Sequence, residues 1–130
     1  MPTTTQRLAP LTRLWLAAAG LFGASGMVIA ALLAHRAAGV APTGLALAHT
    51  ALEIQIWHAL ALLGIAALCE RRHSRVLSLA GTGFVLGTLA FSGAVYAAAL
   101  GAPPGWPIAP VGGTLLILSW AALVAAAAAG

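Results

Sequence analysis

Three side chains that can carry chemistry stand close together in one otherwise apolar stretch. Glu53, Gln55 and His58 lie where the chain enters a long hydrophobic run that continues to residue 68. The whole chain has only two acidic residues, so a carboxylate at this place needs an explanation. Imidazole and carboxylate groups suit zinc, copper or iron, and inside a membrane they can also carry protons.

Helical geometry limits what these residues can form together. His49 and Glu53 are four positions apart and Gln55 and His58 three apart, so each pair shares a face of a helix. Glu53 and His58, in contrast, point about 140° from each other. The sequence therefore predicts no single stripe of ligands on this helix. The candidate polar layer, drawn from three segments, comprises His35, Glu53, Gln55, His58, Ser92 and Tyr96, and its weak metal-binding candidates are His35, Glu53 and His58.

The composition identifies the class of protein that must position these residues. Hydrophobic residues make up 62% of the 130 residues and charged residues only 6%, whereas soluble domains carry about a quarter charged residues. Such a chain cannot cover a globular surface with polar groups. All six basic residues are arginines, and they do not form a basic surface with interleaved aromatic residues, so we expect no nucleic-acid partner. A single domain embedded in the lipid bilayer follows.

Four apolar stretches predict four transmembrane helices, at about 14–34, 48–69, 76–100 and 108–128, and only the second contains a charged residue, Glu53. Each is long enough to cross a hydrocarbon core of about 30 Å. Residues 1–13 are predicted to be an N-terminal tail and residues 14–130 one all-α, integral-membrane four-helix bundle. A cleavable signal peptide is the alternative for the first stretch, but its apolar run exceeds the roughly 7 to 15 residues of a signal core. Turns are expected at residues 37–44, in the charged loop at 70–75 and at the proline-rich break at 101–107.

The arginines predict the orientation. Five of them fall on the side that holds the N-terminus, the 70–75 loop and the C-terminus, and only Arg36 falls on the other side. By the positive-inside rule both termini are cytoplasmic. The 70–75 loop is interpreted as a solvated turn beside anionic lipid, and Trp15 and Trp106 as interfacial anchors.

Glycines on three of these helices predict close helix packing, because small residues let helix backbones approach in a membrane. Gly83 and Gly87 form a Gly-x-x-x-Gly pair. Packing within the chain is favoured over packing between copies. The predicted packing positions are Gly20, Gly23, Gly26, Gly83, Gly87, Gly112 and Gly113.

In order and spacing, four segments resemble the small bacterial inner-membrane family known as domain of unknown function 423, to which eukaryotic transmembrane protein 256 is similar. They are residues 23–35, residues 52–63 with Glu53, Gln55 and His58, Phe91-Ser-Gly-Ala-Val-Tyr96, and Ala109-Pro-Val-Gly-Gly113 followed by Ser119-Trp120. The resemblance implies a four-helix protein of the bacterial inner membrane and no established activity.

This chain departs from the family pattern at two places. Residues 30–34 here are Ala-Ala-Leu-Leu-Ala, where the family often has a glycine-rich run before the histidine, and Ile54 stands where it commonly has tyrosine.

Several functions remain open from the sequence. The polar layer is expected first to hold the bundle together by hydrogen bonds between helices, which favours a non-enzymatic structural or accessory protein, either a homo-oligomer or a subunit of a larger membrane complex. The alternative is a binding protein for a metal, a haem or a hydrophobic small molecule in the outer half of the bundle. A proton or solute path within an oligomer is less favoured, because the second helix offers no polar residue between His58 and the 70–75 loop to continue it, and the first and fourth helices are no better there. No cofactor is predicted.

Overall fold

The chain forms four long helices in succession. The computed structural model describes residues 8–36, 39–72 and 74–129, and the helices are α1 (Pro10–Arg36), α2 (Pro42–Arg71), α3 (Arg75–Ala99) and α4 (Ile108–Ala128). All four are long and apolar enough to cross a membrane. The prediction of an all-helical chain with four apolar spans is confirmed.

Two helices begin earlier than the sequence pattern predicts. α1 starts at Pro10, so residues 10–13 are helical rather than part of the tail, and the earlier residues 1–7 lie outside the described part. α2 starts at Pro42, inside the expected turn at 37–44. Proline fits the first position of a helix, because its fixed backbone angle suits the helix and its missing N–H has no partner there anyway. Here the two prolines start helices that we expected them to precede.

α3 has a defined start and end. Ser74 precedes it and accepts a long hydrogen bond of 3.5 Å from the backbone N–H of Leu77. At the other end Gly101 adopts a positive φ of 80°, and its N–H bonds to Ala98 while the N–H of Ala102 bonds to Ala97. This is the hydrogen-bond pattern with which glycine commonly closes a helix. The helix therefore stops just before the loop that leads to α4.

The central pair of the bundle is α2 and α3. α1 packs mainly on α2 and α4 mainly on α3. The central helices are also the most buried: 39% of the residues in the apolar span of α2 and of α3 are buried, against 11% for α1 and 17% for α4. The main core lies in the half of the bundle that contains Glu70 and includes Leu62, Ile65, Ala80 and Phe84. The two outer helices thus present most of their surface to the surroundings.

Glycines seat α4 directly on α3. A Cβ at Gly112 would lie 2.8 Å from the carbonyl oxygen of Gly87 and collide with the backbone of Phe91. One at Gly83 would meet the Ser119 hydroxyl, and one at Gly113 would touch the Phe91 ring. Only glycine allows the two backbones to come this close. Both glycines of the Gly-x-x-x-Gly pair of α3 therefore pack against α4 of the same chain.

On α1 the glycines differ from one another. Gly26 faces α2, because a Cβ there would lie 2.6 Å from the end of the Ile56 side chain. Gly20 and Gly23, in contrast, have no atom within 4 Å of the place where a Cβ would stand. These two glycines form an open patch on a peripheral helix, and no helix of the described chain fills it.

α1 is also attached to the bundle at its N-terminal end. The Glu70 carboxylate accepts hydrogen bonds from the Thr12 hydroxyl at 2.7 Å and from the Ala9 N–H at 3.4 Å. A negative charge stabilises the N-terminus of a helix. Trp15, one turn further along, is only 4% exposed and packs over Gly81. The expectation that Trp15 anchors α1 at the membrane interface is wrong, because Gly81 leaves room for its ring inside the bundle.

Candidate functional site

Gln55 connects three helices through its side-chain amide. Its nitrogen donates to the Phe22 carbonyl oxygen at 2.8 Å and to the Ser25 hydroxyl at 2.9 Å, both on α1. Its oxygen accepts from the Tyr96 hydroxyl of α3 at 3.0 Å. Gln55 itself is 6% exposed. Both amide hydrogens and the amide oxygen are therefore used within the bundle.

A second hydrogen bond joins α2 and α3 one turn away from Gln55. The buried Ser92 hydroxyl donates to the backbone oxygen of Ala51 at 2.9 Å. A carbonyl oxygen inside a helix still has a free lone pair, so this bond leaves the helix intact. Ser92 and Tyr96 both lie on α3 and both reach α2. Together with Gln55 they form what we call the Gln55 junction: Phe22, Ser25, Ala51, Gln55, Ser92 and Tyr96.

His58 lies in a separate aromatic cluster. Its Nδ1 is 2.7 Å from the carbonyl oxygen of Ile54 and its Nε2 is 3.2 Å from the indole nitrogen of Trp120 on α4. A carbonyl can only accept and an indole N–H can only donate. His58 is therefore neutral with its proton on Nδ1, and neither ring nitrogen is free to bind a metal. Phe84 completes the cluster, in T-shaped contact with Trp120 at 5.0 Å between ring centroids.

Glu53 points away from both groups. It is exposed, and the indole nitrogen of Trp57 lies 3.4 Å from one of its carboxylate oxygens. Glu53 is about 27 Å along the helix axis from Arg71. In a hydrocarbon core of about 30 Å it therefore lies close to one boundary, where headgroups and water reduce the cost of its charge.

The remaining candidate ligands are also dispersed. His35 is exposed at the end of α1, and its Nδ1 lies 2.8 Å from the carbonyl oxygen of Ala31 in its own helix. Within residues 8–36, 39–72 and 74–129, no three His, Cys, Asp or Glu side chains come close enough to hold a metal ion. The structure therefore does not bring His35, Glu53 and His58 together. Of the six residues of the candidate layer, it joins only Gln55, Ser92 and Tyr96.

Sequence reasoning missed several partners of these residues. Ser25 and the Phe22 carbonyl were not predicted as partners, because one serine and one backbone carbonyl in an apolar helix form no recognisable pattern. From the sequence alone, Trp120 can face either lipid or protein. Its three-way contact with His58 and Phe84 depends on how α4 is rotated, and the period of an almost uniformly apolar helix does not specify that rotation.

Comparison with known proteins identifies the family of this chain. Residues 29–113 match the family described as "Protein of unknown function (DUF423)". The chain belongs to this family. The matched range covers the later part of α1, both central helices and the start of α4. It contains His58 and the α2 and α3 residues of the Gln55 junction, whereas Phe22 and Ser25 of α1 precede it. The prediction made from the four sequence segments is confirmed.

Two relatives are described as membrane proteins, one of them of the inner membrane. The chain is 38% identical over 79 residues to the "UPF0382 inner membrane protein YgdD" of Escherichia coli K12, which is 60% of each protein. It is 38% identical over 76 residues to a "UPF0382 membrane protein" of Haemophilus influenzae, 57% of this chain and 60% of that one. The chain thus matches about 60% of the length of these relatives. No solved structure matches it. The protein is a multi-pass inner-membrane protein, and the family has no known molecular function.

Replacing Gln55 by leucine tests the junction. We expect the free energy of unfolding to fall by about 2 kcal/mol, because three interhelical bonds of about 0.6 kcal/mol each are lost and the Tyr96 hydroxyl loses its acceptor. Tyr96→Phe removes one bond and should cost about 0.6 kcal/mol. Reversible unfolding in bicelles measures both. As a control, Thr114→Val removes an exposed hydroxyl that bonds only within its own helix. Equal effects of Gln55→Leu and Thr114→Val would contradict the assignment.

Proposed function

We propose that this protein is a non-catalytic structural component of the inner membrane that acts by associating with a second copy of itself. The observation that supports this proposal most is the use of the interior polar groups. Gln55 and His58 have their side-chain polar atoms paired inside the bundle. Groups paired in this way stabilise the fold and are not available to a substrate. The function then resides on the outer surface.

The outer surface of α1 offers a place suited to another helix. Gly20 and Gly23 are the open patch of α1, and α1 is the least buried of the four spans. Within the bundle, the glycines of α3 and α4 receive a neighbouring helix. By the same physical logic, close van der Waals packing of small residues favours helix association in lipid. The second copy is our proposed occupant of this patch, through α1 against α1.

Substitution of the open patch tests self-association. In Gly20→Leu/Gly23→Leu the bulky side chains keep the backbones apart, so we expect association in bilayers to weaken by about tenfold or more. Gly64→Leu is the matched control, because Gly64 is an exposed glycine of α2 that also has open space at its Cβ position. Native mass spectrometry of gently extracted protein, together with association measured by energy transfer in vesicles, gives the readout.

Each outcome of this experiment has a definite meaning. A dimer that is lost in the α1 variant and kept in Gly64→Leu supports the proposal. A wild-type protein that stays monomeric at high protein-to-lipid ratio contradicts it. So does a complex in which a different polypeptide replaces the second copy, although that result would still identify an accessory role.

We further propose that the end of the bundle containing Glu70 faces the cytoplasm. The N-terminus of α1 and the C-terminus of α2 are joined there by the Glu70 hydrogen bonds, and this end carries Arg13, Arg71, Arg72 and Arg75. The positive-inside rule supports this orientation.

A fluorescent protein that matures only in the cytoplasm, fused after residue 130, should fluoresce, whereas an alkaline phosphatase that folds only in the periplasm should be inactive there. The reverse pattern would contradict the orientation.

A further inference from the structure

A groove opens at the end of the bundle where the charged loop lies. It lies between the C-terminal end of α2, the N-terminal end of α3 and the C-terminal end of α4, and has a volume of about 400 Å³. Its walls differ in chemistry. The polar wall contains Arg71, Arg72 and Ser74, and the apolar wall contains Leu77, Leu123 and Ala126. The groove thus combines a cationic rim with a hydrocarbon-like floor.

The charge of this rim is not balanced within the described chain. The only acidic residues are Glu53 and Glu70. Glu53 is near the opposite membrane boundary. The Glu70 carboxylate is bonded to Thr12 of α1 and to Ala9 just before it, whereas the groove is formed by the other three helices. Arg71 and Arg72 are exposed. Two guanidinium groups therefore stand at a membrane surface beside an apolar groove, with no carboxylate of the groove's own lining to pair with them.

The chemistry of the two walls identifies the class of ligand. Guanidinium groups bind phosphate oxygens in a bidentate geometry, and the bond that Ser74 accepts from Leu77 leaves its hydroxyl hydrogen to donate. A soluble phosphate would leave the leucine and alanine wall uncovered, whereas a phospholipid acyl chain would cover it. Basic pockets between transmembrane helices are known to hold anionic lipid headgroups. The volume is that of a small-ligand site, enough for a headgroup and the first part of a chain.

We propose that this groove binds one anionic phospholipid, with the headgroup phosphate at Arg71 and Arg72 and an acyl chain along Leu77, Leu123 and Ala126. This proposal adds a specific site to the sequence interpretation of the 70–75 loop as a solvated turn beside anionic lipid. This inference does not depend on self-association through α1. It also does not depend on which side of the membrane the groove faces.

Lipid titration of delipidated full-length protein tests the site. Native mass spectrometry should detect one bound phosphatidylglycerol, held about 30-fold tighter than phosphatidylcholine with the same acyl chains. Arg71→Gln/Arg72→Gln should abolish this preference. Arg13→Gln/Arg75→Gln is the matched control, because it removes the same charge from the same end while Arg13 and Arg75 line other grooves. The control should keep the preference.

A second pair of variants tests the apolar wall. Ala126→Leu fills the groove and should weaken phosphatidylglycerol binding, whereas Val124→Leu enlarges a side chain that is 72% exposed and should leave it unchanged. Equal loss of binding in both arginine variants would overturn the site in favour of general surface attraction. Displacement of the bound lipid by inorganic phosphate or glycerol phosphate at millimolar concentration would overturn the lipid assignment in favour of a free-anion site.

Discussion

The structure depends most on one physical constraint: a polar group inside the bilayer is costly unless it has a partner within the protein. Among the described residues, the buried Trp15 indole nitrogen and Thr88 hydroxyl have no hydrogen-bond partner. Gln55 satisfies the constraint by bonding to α1 and α3 at once. The hydrophobic effect does not drive these helices together in lipid, because lipid chains are as apolar as the side chains, so close packing and hydrogen bonds must do so. The amide therefore supplies a directional contact that fixes the register of α1 against the central pair. Ser92 does the same between α2 and α3.

The second constraint is the small size of the residues where helices meet. α4 has few polar groups that could direct it, and Gly87 and Gly112 instead allow its backbone to lie on that of α3. Once α4 is seated, Trp120 reaches His58 and satisfies a ring nitrogen that would otherwise be unpaired. The close contact between Gly87 and Gly112 and the hydrogen bond from Trp120 to His58 thus depend on each other. The peripheral helices are held by different means, α1 by hydrogen bonds and α4 by close packing.

The sequence predicted the spans because charge and hydropathy decide them without reference to packing. Seven glycines were predicted to pack, since small residues in lipid have few other uses. Gly20 and Gly23 have no neighbouring helix beside them, whereas the other five lie against one, namely Gly26, Gly83, Gly87, Gly112 and Gly113. The sequence does not determine how each helix is rotated about its own axis. Glu53 and Gln55 are two positions apart, and only packing shows that Gln55 faces the bundle while Glu53 faces outward. For the same reason His35, Glu53 and His58 suggested a common site that the helices do not assemble.

We propose that the interior polar groups of this membrane protein serve the fold and that other molecules bind at its outer faces and at its arginine-rich end. His58 provides the most direct test of that division, because a histidine that serves the fold has both nitrogens committed. The measurement is the pair of ¹⁵N resonances of the His58 ring in bilayers, with Trp120→Phe to assign the Nε2 contact. A neutral ring protonated at Nδ1, whose Nε2 resonance shifts when the Trp120 donor is removed, is the predicted result. An imidazolium, a ring protonated at Nε2, or a metal-bound nitrogen would contradict the account.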